Sequence, residues 1–243
     1  MVSEVIDNDF FMIGIKNLIK AFNKKTAVDI PSLSIDKSEI VGLVGNNGAG
    51  KTTTFRLMLD LLPADSGNVL INGVDVSKNE TWKNYTGSFI DSNFLIDFFA
   101  PDEYFSFTGK VYGLDNNEIK ERLATFEKFM NGEILNQKKY IRNFSSGNRQ
   151  KIGIIAAMMI HPDVLILDEP FNFLDPSSQI EMKYLLQWLN AQFGTTIFIS
   201  SHNLNYIHDV SSRILLLEKG IIIKDIMNKD LENISEIYNY FEK

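Results

Sequence analysis

Two short stretches of this chain carry the residue types of phosphate chemistry. Gly45, Asn46, Asn47, Gly48, Ala49, Gly50, Lys51 and Thr52 follow the spacing G-x-x-x-x-G-K-T, and a further threonine, Thr53, comes next. Glycines let such a loop curl so that successive backbone N–H groups face one anionic oxygen. Lys51 then supplies a point charge to the outer phosphates, and the Thr52 hydroxyl is an oxygen ligand for Mg²⁺. The second stretch is Asp168-Glu169, two acids directly after the apolar run Val164, Leu165, Ile166, Leu167. An exposed Asp-Glu pair is ordinarily just solvated charge, but here the preceding residues demand burial. Asp168 suits the metal; Glu169 suits a water to be oriented or deprotonated in phosphoanhydride hydrolysis.

These groups meet only if the elements carrying them end at one edge. The spacing predicts a strand over residues 40–44, entering the glycine loop, and a helix over 51–62, with Phe55, Met58, Leu59 and Leu62 on one face and Pro63 as its stop. Residues 164–167 read as a strand covered on both faces. In an open α/β sheet the ligand site lies outside the carboxyl ends of such strands, where both motifs fall. Short strands are predicted over 11–17, 27–35 and 68–72, and helical patterns over 101–112 and 117–130. Ser145 opens a helix with Ile152, Ile155, Ala156 and Met159 on one face, stopped at His161-Pro162. A helix over 177–193, a strand over 195–200 and a hairpin through Lys219-Gly220 follow. A closing helix from Asp230 places Leu231, Ile234, Ile237, Tyr238 and Phe241 on one side, to pack on its own domain.

The chain has 243 residues and a net charge of −7. That balance argues against a long-range pull toward nucleic acid or anionic lipid. It has no cysteine, which excludes disulfides, thiolate catalysis, Cys-type zinc sites and iron–sulfur ligation. The opening residues carry acids where a secretory leader is basic, and no run approaches the roughly 18 apolar residues of a membrane span. A soluble, cytoplasmic chain is expected, with any membrane link made through another polypeptide.

Further motifs follow in a fixed order. Phe144-Ser145-Ser146-Gly147-Asn148 precedes a helix, Glu169-Pro170-Phe171-Asn172-Phe173-Leu174-Asp175 follows the buried strand, and Ser201-His202 follows a later one. In this order the chain resembles, over nearly its whole length, the nucleotide-binding subunits of ATP-binding cassette (ABC) transporters. It is most similar to the ATPases of small two-component, ABC-2-type exporters. The resemblance implies an α/β fold: a P-loop NTPase core with an N-terminal antiparallel β subdomain and an inserted α-helical subdomain. A single domain over 1–243 is expected, with the core and β subdomain in approximately 1–90 and 145–243 and the helical subdomain in 91–144.

The resemblance also assigns roles. ATP and Mg²⁺ are the expected ligands. Each ATP would be held by residues 45–53 of one subunit and by Ser145, Ser146, Gly147 and Asn148 of a second, with Asp175 nearby and Phe22 stacked on adenine. Lys51, Glu169, His202 and Asp91 would be catalytic, and Thr52, Asp168 and Asp91 would serve the metal. Implied partners are a second ATPase subunit, in a homodimer or heterodimer formed on ATP, and a separate integral membrane permease; nucleic acid is not expected. The chain would then sit on the inner face of the cell membrane through its permease. A soluble ABC ATPase acting as an assembly scaffold or ATP-gated switch is the alternative class.

Four features depart from the family pattern or extend it. Ser146 replaces a glycine, and its side chain either crowds the γ-phosphate or donates to it. Asn148 replaces a glutamine. Asp91 stands where a glutamine senses metal and water, one methylene shorter and charged, with Asn93 as a possible substitute amide. Seven aromatic residues, Phe89, Phe94, Phe98, Phe99, Tyr104, Phe105 and Phe107, crowd one stretch of a chain that averages 12% aromatics. The resemblance makes this a permease-docking region and predicts that several of the rings are exposed; a Phe-rich subdomain core is the other reading.

Overall fold

The computed structural model describes residues 11–227 and Ile237. It opens with β1 (Phe11–Phe22) and β2 (Lys25–Asp36). They are joined at Asn23 and Lys24, both at positive φ (48° and 67°), the two-residue hairpin geometry that matches strand twist. β3 (Ile40–Val44), α1 (Lys51–Met58), β4 (Ser66–Ile71), β5 (Val74–Asp75) and β6 (Thr86–Phe89) follow. A helical stretch holds α2 (Pro101–Val111), α3 (Asn116–Ala124) and α4 (Glu127–Met130). Then come α5 (Ser146–Met158), β7 (Val164–Leu167), α6 (Pro176–Phe193), β8 (Thr196–Ser201), α7 (Leu204–His208), β9 (Arg213–Glu218) and β10 (Ile221–Met227).

Several elements differ from the sequence expectation, each for a local reason. β1 runs on past residue 17 because Asn17 takes a left-handed conformation (φ 48°) that lets the strand bend without ending. α1 stops at Met58, well before Pro63, where Asp60 turns left-handed (φ 51°). The pattern over 117–130 splits into α3 and α4 because the chain turns at Thr125-Phe126 and drives Phe126 and Phe129 into the core. Of the closing helix, Ile237 is helical and buried; Leu231, Ile234, Tyr238 and Phe241 lie outside the described residues.

The first sheet is antiparallel, in the order β2-β1-β4-β5. The second has the order β10-β9-β3-β8-β7-β6 and is parallel from β9 to β6, with β10 antiparallel at its edge. Its central strands are apolar on both faces. Ile40, Val44, Leu165, Leu167, Ile197 and Ile199 join one core with α5, α6 and the helical stretch. Val41, Leu43, Val164, Ile166 and Phe198 join a second core with α1 and the antiparallel sheet. The period of two in a strand thus sends alternate residues of one run into two different cores. Register brings the carboxyl ends of β3, β8, β7 and β6 level, with Val44 opposite Ser201 and Leu167 opposite both Ile199 and Phe89. Residues 45, 90, 168 and 202 therefore emerge at one edge.

Phe198 ties the second core together, its ring edge-on to Phe55 at 4.9 Å between centroids. Phe198→Ala is expected to cost about 3–5 kcal/mol in urea unfolding; a loss below about 1 kcal/mol would show that the core does not depend on this contact.

Candidate functional site

The loop between β3 and α1 is built around bare backbone. Gly50 precedes α1 at φ 112°, and a Cβ there would lie 2.5 Å from the Ala27 carbonyl oxygen, so neither the torsion nor the space admits another residue. Asn46, Asn47 and Gly48 are exposed, whereas Gly45 and Ala49 are buried. Lys51, in the first turn of α1, is only 6% exposed. Its Nζ donates to the Gly45 carbonyl at 2.6 Å and lies 3.2 Å from Glu169 Oε1. Thr52 donates its hydroxyl to Asp168 Oδ2 at 2.5 Å, and Thr53 follows on the same turn.

Asp168 is buried at the end of β7. Burial raises its carboxyl above the usual range, against the opposing pull of the Ser200 and Thr52 hydroxyls; Glu169 pushes it up further and Lys51 pulls it down. Ser200 has a double role, donating to Asp168 Oδ1 and accepting the Glu169 N–H at 2.9 Å. Glu169 then turns out of the strand line at φ 47°. Its Oε1 faces Lys51, while its Oε2 accepts the His202 N–H at 3.2 Å and lies 2.9 Å from His202 Nδ1. Lys51, Thr52, Asp168, Glu169 and His202 are thus drawn from three strand ends into one contact network. Such a network can bind a polyphosphate, hold a hard cation through oxygen donors and position a water beside a carboxylate.

The other expected residues lie elsewhere. Ser145 caps α5, its Oγ accepting the Asn148 N–H at 3.2 Å, so the capping role of this serine is real. Ser145 and Ser146 are exposed at that helix start, where dipole and free N–H groups favour an anion. Gly147 must be bare: a Cβ would lie 2.6 Å from the Phe173 carbonyl oxygen. Asn148 spends its amide on Glu133 at 3.0 Å. Among the described residues no hydrogen bond or ion pair links Ser145, Ser146, Gly147 or Asn148 to Lys51 or Thr52. Phe22 is exposed at the hairpin tip, with Lys20 Nζ 5.7 Å from its ring. Asp91 lies just past β6, whose Phe89 carbonyl accepts the Asp168 N–H at 2.9 Å. Its carboxylate accepts the Asn93 N–H at 2.8 Å. Asp175 caps α6 through Ser177 and Ser178, which hold its carboxyl far below the usual range.

Two residues acquire a part that motif spacing does not assign. Ser200 is one, and its signal is a polar residue ending an apolar strand. Gln150 is the other: it is buried on α5 and donates its amide to the Glu169 carbonyl at 3.1 Å.

Comparison with known proteins places this geometry. Residues 28–172 match the family described as ABC transporter. The chain is 33% identical over 234 residues to the bacitracin transport ATP-binding protein BcrA of Enterococcus faecalis, covering 96% of this chain and 74% of that protein. It is 35% identical to the linearmycin resistance ATP-binding protein LnrL of Bacillus subtilis (87% and 68% covered). It is 30% identical to the lantibiotic transport ATP-binding protein SrtF of Streptococcus pyogenes (96% and 99%). A solved ATP binding subunit of an ABC transporter superposes with a TM-score of 0.84 at 25% identity, covering 96% of this chain and all of that one. The cassette MJ0796, solved as a dimer bound to ADP and Pi, shares the fold, with a TM-score of 0.79 at 21% identity (89% and 99% covered). With a family match over most of its length and near-full-length relatives at this identity, the chain belongs to the ABC transporter family.

Proposed function

We propose that this chain is the ATP-binding and ATP-hydrolysing subunit that powers a separate integral membrane permease, working as a head-to-tail pair of subunits that closes on ATP. The observation that carries the reading is the contact of Glu169 with Lys51 on one side and His202 on the other, beside the Thr52–Asp168 pair. Glu169 and a terminal phosphate are alternative partners for one ammonium group. Phosphate arriving in the glycine loop competes for Lys51 and leaves the Glu169 carboxylate on His202, free to orient a water and take its proton. The water oxygen bonds to the terminal phosphorus, the bond to the bridging oxygen breaks, and ADP and phosphate are released.

The residues present fit Mg²⁺. The Thr52 hydroxyl and Asp168 carboxylate are hard oxygen donors already in contact, and among the described residues no set of three histidine or acidic side chains gathers to cage a metal. That is the sparse protein coordination Mg²⁺ uses with substrate phosphates. When bound, it would neutralise charge on the transferring phosphoryl group.

A second subunit is called for because Ser145 and Ser146 offer an anion site that, among the described residues, shares no hydrogen bond or ion pair with Lys51. Homodimer or heterodimer, the pair would enclose ATP between residues 45–53 of one copy and 145–148 of the other, with Phe22 available to stack on the adenine and Asp175 close by. ATP binding to the closed pair then stabilises it, and hydrolysis releases it. The names of the bacitracin, linearmycin and lantibiotic relatives support export as the direction and antimicrobial compounds as the cargo class. No helix among the described residues is long and apolar enough to cross a membrane, so attachment at the inner face of the membrane would run through the permease. The exposed rings of Phe94, Phe98 and Phe107 suit that docking; Phe99 and Tyr104 are half-buried, and Phe89 and Phe105 are core residues.

Glu169→Gln is expected to lower ATP turnover about 10²–10⁴-fold and to trap a dimer under saturating Mg-ATP in sedimentation velocity. A variant that stays monomeric, even with its permease supplied, would contradict the reading. Asp91, charged and on the same sheet edge, is assigned a part in metal and water placement. Asp91→Ala should lower Mg-dependent turnover about tenfold, and turnover equal to wild type with and without the permease would remove Asp91 from the mechanism.

A further inference from the structure

The Glu169 carboxylate reaches both Lys51 and His202 from a backbone bent to φ 47°. Local preference runs against that bend twice. A side chain at positive φ crowds the following carbonyl, and the residue before a proline, here Pro170, favours extended backbone. The Asn172 N–H closes the turn on the Glu169 carbonyl at 3.1 Å. A bond within the turn does not fix where the turn sits against the sheet.

Two buried side chains from other elements do fix it. Ser200, on β8, is fully buried; its Oγ accepts the Glu169 N–H at 2.9 Å and gives its one proton to Asp168 Oδ1. Among small side chains, only a hydroxyl both accepts and donates well at a single atom. Gln150, on α5, is also buried and donates its amide to the Glu169 carbonyl at 3.1 Å. The peptide groups on the two sides of the Glu169 Cα are therefore held from two different elements, one a strand and the other a helix. A disfavoured torsion persists only where the surroundings over-determine it, and at a reacting group such strain is a means of pre-organisation.

We infer that Ser200 and Gln150 are positioning residues for the proposed hydrolysis, a two-sided clamp on the Glu169 backbone that aims its carboxylate at the attacking water. The inference rests on the reading of Glu169 as the group that takes the water's proton, and it names the side chains through which the fold holds that group still. Both act through Glu169. Ser200 adds a tie between the two acids, since one hydroxyl serves the Asp168 carboxylate and the Glu169 N–H together. Gln150 bonds neither Lys51 nor the Thr52–Asp168 pair, so its effect is confined to the base. The tolerance is narrow, because a misplacement of about 1 Å at a reacting group can cost about 10²-fold in rate.

The test measures kcat and KM for Mg-ATP in variants matched for shape. Ser200→Thr and Ser200→Val add the same bulk to the buried site and differ in the hydroxyl; Gln150→Met keeps the length and removes the amide, while the Asn172 N–H still pairs the Glu169 carbonyl. The valine variant should turn over about tenfold more slowly than the threonine variant, and Gln150→Met about tenfold more slowly than wild type with KM within about threefold. On the nucleotide-free chain, the Glu169 amide should exchange its hydrogen about tenfold faster with valine than with threonine at position 200. Each substitution is then repeated on Glu169→Gln and read by single-turnover phosphate release, where its effect should shrink below about twofold because the carboxylate it aims is gone. Valine equal to threonine in turnover, Gln150→Met equal to wild type, or losses undiminished on Glu169→Gln each overturn the clamp and leave Glu169 as the base. A Glu169→Gln chain with wild-type turnover overturns both.

Discussion

A single ammonium group, Lys51 Nζ, fixes what the rest of the chain must do. A charge this deeply buried is tolerated only with partners on every side, and it has them in the Gly45 carbonyl and the Glu169 carboxylate. Those partners come from different strands. β3 delivers the loop, β7 delivers Glu169, and β8 delivers Ser200 and His202, which hold Asp168 and Glu169 in place. Parallel pairing sets these ends level, and two cores, one on each face, keep the strands in that register. The fold is thus the means by which one lysine is surrounded by groups that a phosphate can replace.

Around this centre, α5 ties the candidate anion site at its start to the loop that begins with Glu169. Gln150 donates to the Glu169 carbonyl, Lys151 reaches toward Asp175, and Gly147 packs on the Phe173 carbonyl. Arg149 adds a link to the segment after β6, through the Ser92 carbonyl at 3.1 Å and Asp97 at 2.9 Å. The proposed contact with the partner's ATP, the carboxylate beside Lys51 and the exposed rings near residues 94–98 therefore share one helix. That arrangement gives a physical route for coupling nucleotide state to a docked permease.

The parts legible in the sequence were those whose signal is local. The glycine loop reads directly because its torsions and its lysine are contiguous, and Asp168-Glu169 reads because four apolar residues announce a buried strand. Helix and strand types followed from periodicity, but the break at Thr125-Phe126 did not, since burial of Phe126 is decided by a core assembled from distant segments. Ser200 and Gln150 escaped for the same reason: their partners, Asp168 and Glu169, are neighbours only after the sheet and α5 are in place. The left-handed torsion of Phe173 (φ 63°) was also silent, because a backbone torsion leaves no mark on a hydrophobic pattern.

The central claim is that one ATP is gripped by two copies of the chain, and it can be measured by mixing two disabled proteins. Lys51→Ala removes the charge in the phosphate loop; Ser146→Glu sets a carboxylate at the exposed start of α5, where it repels phosphate without disturbing packing. Each protein alone should show background ATP turnover. An equimolar mixture should recover about a quarter of wild-type turnover, because half the pairs are mixed and each mixed pair keeps one intact composite site. A mixture that stays at background would contradict the account.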